Sequence, residues 1–452
     1  MKQLPGKVSR ELKDWVEQGL VSSEQEQRIR EQYSTTTASM QWGTVLFSGI
    51  GAVGIGLGVI LLFAYNWDAI PKLAKLLLIY GAVAGAHGIG IWLYMSSHRS
   101  TMLGEACCLL GTMFFGSAIW LVAQIYHIQE HFPNGILIWA IGALLMTFVM
   151  PSVAHGLLSA ALIVLWCGFE AFEFHTAVHA APLLFLAGVM VPAWIMRSRI
   201  LMATAIPAFL VCIGMVLPEA CAYHSEAIVL FLVLLNLSII LVAASRLCAQ
   251  TEKGTYFSPI FASIGWPLFI VGVYIMSFQL MADELLDFHL ADLEKVSLLY
   301  VLITFVVALA MWGVIAYSHL LSQNRRSAVS WAHYLLPVTA VYTLLTAGVL
   351  PVSEFVTSSD NVNEWFVATP YNLFFLAIVL AIMMHGCREK VLKATTLGSI
   401  MLIIFAFTRY LDLFESLALR GVVFIVVGGA IFAQGIFYRR AAQTEQTEDD
   451  NE

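Results

Sequence analysis

The sequence predicts an all-α protein, a polytopic bundle of about 14 transmembrane helices with both ends in the cytoplasm and a short N-terminal cytoplasmic helical hairpin. Three observations predict it. Of 452 residues, 60% are apolar and only 12% charged, against roughly 25% charged in a soluble domain, and the mean hydropathy is +0.82. The apolar residues come in runs long enough to cross a bilayer, separated by brief polar punctuation. The basic residues fall mostly in alternate connections.

Residues 7–33 read as the hairpin. Val8, Leu12, Trp15 and Val16 form one helical stripe, Gly19 stops that helix, and Ser23 with Glu26 makes a capping-box pattern ahead of Ile29 and Tyr33. Spans then follow near 44–64, 76–95, 103–125, 135–150, 153–172, 178–196, 200–217, 226–244, 259–281, 296–317, 329–350, 371–387, 394–410 and 421–438. Their weakest divisions are Pro151-Ser152 and Arg197-Ser198-Arg199. With the N-terminus inside, 18 of the 23 Lys and Arg residues fall on the cytoplasmic side, as the positive-inside rule requires. The chain thus divides into a leader at 1–43, a first membrane region at 44–172, further spans at 173–440 and an acidic tail at 441–452. The polar leader argues against a cleavable signal peptide, because the first apolar run is long enough to remain as a span. The tail lacks apolar anchors and is expected to be disordered.

The net charge of −7 averages two membrane faces and gives no basis for a nucleic-acid partner. The expected partners are the lipid bilayer and a membrane or periplasmic protein. The seven cysteines lie in or beside apolar runs without metal or disulfide spacing, so buried thiols are expected.

Two motifs invite chemistry. Gly49-x-Gly51-x-x-Gly54 matches a dinucleotide fingerprint, but it lies inside an apolar helix, where Gly54 and Gly58, like Gly81 and Gly85, read as small-residue packing pairs. His127-x-x-Glu130-His131 matches an inverted zinc-peptidase spacing. Catalysis there needs both imidazoles on one helix face and a third ligand. Pro133 ends any helix at once, and no third ligand follows. No catalytic, cofactor-binding or metal-ligating set is therefore expected. Ionisable residues inside spans carry a functional expectation because their burial in lipid is costly. Glu105 and His87 are the intramembrane pair singled out here, with His155, His385, Glu170 and Glu173 near span ends.

Several pieces resemble the bacterial membrane-protein family known as domain of unknown function 2157. They are Leu12-x-x-Trp15, Gly19-Leu20-Val21-Ser22, Asn66-Trp67, Ile70-Pro71, Glu105, Leu110-Gly111, and above all Ala123-Gln124-Ile125-Tyr126-His127-Ile128. The likeness is clearest over about residues 8–160 and returns at Arg409–Phe414 with Arg420. It implies a bacterial inner-membrane location and brings no assigned activity, substrate or cofactor. On the expected topology, Asn66, Gln124, His127, Arg409 and Asp412 all reach the periplasmic face, where they would form a polar site or docking surface. The leading functional expectation is a non-enzymatic scaffold or partner subunit of the cell envelope. The alternative is a secondary transporter or permease for a small solute, and an intramembrane hydrolase ranks third.

Overall fold

Polar turns, prolines and small residues set where this chain's helices begin and end, as its computed structural model shows. The structure describes residues 15, 21, 22, 24–26, 70–96, 101–128, 131–219, 226–288, 293–321, 331–349, 360–412, 425, 428, 429 and 432. It divides into two units, Met1–Leu78 and Ile79–Glu452.

In the first unit the leader carries a capping box one residue earlier than Ser23 and Glu26. The Ser22 N–H donates to Gln25 Oε1 at 2.9 Å, and the Gln25 N–H donates to Ser22 Oγ at 3.2 Å. A glutamine at the third helical position reaches back as a glutamate would. The span at 44–64 with its glycine motif and Asn66 lie outside the described residues, as do the tail and nearly all of the span at 421–438.

Every element of the second unit is a helix among the described residues. They are α1 (Lys72–Ser96, which the unit boundary crosses), α2 (Thr101–Tyr126), α3 (Pro133–Val149), α4 (Val153–Phe174), α5 (Ala180–Ile195), α6 (Arg199–Glu219) and α7 (Glu226–Ala249). Then come α8 (Ser258–Met276), α9 (Gln279–Asp287), α10 (Lys295–Leu321), α11 (Leu335–Leu344), α12 (Asp360–Arg388) and α13 (Leu392–Asp412). Nine of the described helices are long and apolar enough to cross a membrane. Three shorter apolar helices, α3, α5 and Leu335–Ala347, accompany them. The chain is thus a helical membrane protein.

α7 organises this unit. It is apolar on every side, which is the pattern of a helix surrounded by protein or lipid, and it packs against α6, α8, α10 and α11. One core cluster joins α3, α4, α5 and α6. A second gathers α6, α7, α9, α10 and α12, and a third gathers α7, α8, α10, α12 and α13.

Three elements differ from expectation. The run at 259–281 is interrupted, because α8 ends at Met276 and α9 starts anew at Gln279. The Ser277 carbonyl there accepts from Asn372 Nδ2 at 3.1 Å and Arg409 Nη1 at 2.7 Å, satisfying a helix end from outside. α5 widens to a π-helix over Phe185–Met190 just before Pro192. The missing proline N–H removes a regular helical bond, and a wider turn is one way to absorb that. α11 follows a 3₁₀ turn, Trp331–Tyr334, and passes into a π segment, Leu345–Val349. Gly81 and Gly85 have no described neighbour within 4 Å of an added Cβ, so they do not make the expected packing pair among the described residues. Close approach of α1 and α2 occurs instead at Gly90 and Gly104. A Cβ on Gly104 would stand 2.7 Å from the Gly90 carbonyl oxygen.

Candidate functional site

The ionisable residues of the early spans gather into two polar clasps, one at each end of α4. The first is built on Ser152, whose extended backbone makes it the N-cap of α4. Its Oγ accepts from the His155 N–H at 3.3 Å and lies 3.0 Å from His155 Nδ1. The same hydroxyl donates to Glu105 Oε1 on α2 at 2.5 Å. With its proton directed to Glu105, the Ser152 oxygen is left to accept from the His155 N–H. Ser152 is buried. His155 is 0% exposed, and its Nε2 has no hydrogen-bond partner among the described residues.

His87 extends this polar region along α1. Its Nδ1 lies 3.0 Å from the Val83 carbonyl, and Nε2 lies 3.5 Å from Thr112 Oγ1 on α2. Gly111 makes room for the ring, since a Cβ there would overlap it. Thr112 also donates to the Cys108 carbonyl at 3.0 Å, and its own carbonyl accepts from Trp139 Nε1 on α3 at 2.9 Å. Sequence reasoning picked out Glu105 and His87 but missed that Ser152 and His155 join Glu105. The available signal was a serine directly before an apolar run with a histidine three residues on, which is a capping position.

The second clasp lies at the other end of α4. Glu170 is 4% exposed. Its Oε1 lies 2.8 Å from His131 Nε2 and accepts from Trp166 Nε1 at 3.2 Å. The His131 ring stands edge-on to Phe174 at 4.1 Å, and Phe132 packs on Phe169 and Phe174. His131 therefore fastens the start of α3 to the end of α4.

That geometry separates the two histidines of the zinc-peptidase-like spacing. His127 stands after the last turn of α2 in the left-handed region, φ 51°. The Ile128 N–H reaches the Ala123 carbonyl at 2.9 Å and the His127 N–H reaches that of Gln124 at 3.4 Å. This is a Schellman motif, so the most distinctive stretch of the sequence is a helix terminator. His127 follows the end of α2 and His131 precedes the start of α3, so no single described helix carries both. Among the described residues no group of three or more His, Cys, Asp and Glu is placed to hold a metal ion.

Of the residues expected to form a periplasmic site, Gln124 and His127 are exposed. Arg409 is 8% exposed. Its guanidinium donates to the Ser277 carbonyl and lies over the Phe278 ring at 4.3 Å and near that of Phe405 at 5.6 Å. A cation there complements the C-terminal end of the α8 dipole. The described contacts of Gln124 and His127 lie in their own turn, and those of Arg409 lie at the α8–α9 junction and on α13. Asp412 is the last residue of α13, three positions beyond Arg409, and Asn66 lies outside the described residues.

No curated protein and no solved structure matches this chain. The family-like pieces at Arg409–Phe414 and Arg420 lie outside the residues that match a family model. Residues 13–156, which take in Glu105 and close on the first turn of α4 with Ser152 and His155, match the family described as Predicted membrane protein (DUF2157).

Proposed function

We propose that this is a non-enzymatic multi-pass protein of the bacterial inner membrane, acting as a scaffold or partner subunit of the cell envelope. The observation that carries this reading is the use made of polar groups within its spans. Ser152 bridges Glu105 and His155, Glu170 bridges His131 and Trp166, and the Arg409 guanidinium caps α8. Each fastens one helix to another, which suits a rigid platform better than a reaction centre. The test is native mass spectrometry of the complex extracted in mild detergent. A second polypeptide at fixed stoichiometry is expected, and a single unpartnered species overturns the reading.

A second reading, transport of a small solute, has one observation in its favour. α5 is interrupted by a π segment and Pro192, and interrupted helices border the sites of many transporters. Uptake of a labelled solute into proteoliposomes, abolished by Pro192→Ala, would favour this second reading over the first.

A further inference from the structure

Between α5 and α6 on one side and α7 and α10 on the other lies a cavity of about 670 Å³. That size is typical of small-molecule sites, yet its walls are almost wholly aliphatic. Leu186, Leu210, Ile240 and Val307 represent them, and the rim residues Leu183, Leu299 and Ile303 are exposed. Polar side chains occur at one end only. There His179 Nδ1 lies 3.2 Å from the Tyr300 hydroxyl, and Thr304 stands one turn further along α10 with its hydroxyl engaged by the Tyr300 carbonyl and Asn236.

Water does not suit such walls, because a bound water needs two to four polar partners. Leaving the space empty would forfeit dispersion contacts along every wall. Hydrocarbon suits it, and the rim lies on helices long and apolar enough to sit in a bilayer. The dimensions narrow the occupant. From His179, the N-cap of α5, to Met190 the lining spans eleven residue steps, roughly 16 Å at helical rise. That is about half of a hydrocarbon core roughly 30 Å thick, the depth of one leaflet.

We propose that this cavity is a lipid site that takes one acyl chain of a bilayer phospholipid from the side. The His179–Tyr300 pair hydrogen-bonds the polar region of that lipid at the cavity mouth. Such a site goes beyond the scaffold reading and does not depend on it.

The test uses the full chain in nanodiscs containing a phospholipid with a photoactivatable diazirine midway along one chain. Adducts are mapped by mass spectrometry. Adducts at Leu186, Leu210 and Ile240 are expected to exceed those at the exposed face of α13 (Ile400, Ile403 and Phe407) by roughly tenfold. Leu210→Trp, which fills the cavity, should remove that excess while leaving the α13 adducts unchanged. Ile303→Trp at the exposed rim makes the same test with little burden on folding, and Tyr300→Phe should weaken labelling without filling space. Equal labelling of the cavity and α13, or labelling insensitive to the tryptophan variants, overturns the proposal. So does labelling by a photoreactive free fatty acid where the phospholipid probe gives none.

Discussion

The helices from Thr101 to Phe174 and those from Glu226 to Asp412 are held together by different means. In the first region, helices meet through side-chain pairs with ionisable members, Glu105 with Ser152 and His131 with Glu170. In the second, large apolar clusters surround α7, and interhelical polar contacts are mostly neutral. Tyr371, fully buried, donates to Thr343 Oγ1 at 2.8 Å, and Tyr342 donates to the Val367 carbonyl at 3.0 Å. Much of α2 and α3 is exposed, including Leu103, Leu110, Ile138 and Leu145. Lipid is as apolar as those side chains, so the hydrophobic effect gives little reason for such helices to associate. Polar pairs there add fixed positions to the apolar cluster that α3 and α4 share with α5 and α6. In the early spans, ionisable groups tie one helix to the next.

The largest expected effect follows from breaking the Glu170 clasp. Glu170→Ala leaves the buried Trp166 N–H and the part-buried His131 ring without their acceptor, and losing both hydrogen bonds costs about 3 kcal/mol in all. The variant should lose thermal stability in detergent, read by tryptophan fluorescence, while Glu170→Gln keeps an acceptor and loses less. Equal stability of Glu170→Ala and the parent would break the comparison at its strongest point. Ser152→Ala comes next. It removes an N-cap together with the donor to Glu105, about 2 kcal/mol in all. Ser152→Thr retains the hydroxyl and should recover most of that loss, which a merely steric role would not explain.

In the apolar region the corresponding change should be milder. Tyr371→Phe keeps the ring in its cluster and deletes the hydroxyl's hydrogen bonding to Thr343, costing about 1 kcal/mol. Hydrogen–deuterium exchange should show the loss locally at α11 and α12. If Tyr371→Phe destabilises as strongly as Glu170→Ala, the two regions do not differ in the way described.

Helix positions were legible in the sequence because proline, serine and short polar turns mark them locally. Val153–Phe174 and Arg199–Glu219 begin within a residue of the expected span starts at 153 and 200. What the sequence could not reveal depends on distant partners. The break at Ser277 is fixed by Asn372 and Arg409, which lie 95 and 132 residues away. Glu105 finds its hydroxyl 47 residues on, and Glu170 is 39 residues from His131. Charge and burial cost single out Glu105 and His87 in the sequence, but no local pattern names the helix each one meets. The cavity was invisible for a related reason. Leucine and isoleucine facing a void have the same periodicity as those facing a neighbour.

The smallest expected effect concerns His127. Its backbone is left-handed, φ 51°, a conformation that costs a residue with a Cβ roughly 1 kcal/mol and costs glycine almost nothing. The Schellman bonds at Ile128 and His127 use backbone groups alone, so they survive any side chain at this position. His127→Gly should therefore raise thermal stability by up to about 1 kcal/mol if the residue only terminates α2. Gln124→Ala, in the exposed last turn of the same helix, should be close to neutral and serves as the reference. A loss of stability in His127→Gly would mean that the imidazole makes a contact worth more than the strain relieved. Its role would then extend beyond ending a helix, and a polar rim built with Gln124 would regain force. A gain accompanied by loss of a bound partner would separate the two roles, because strain kept at an exposed position is best explained by binding.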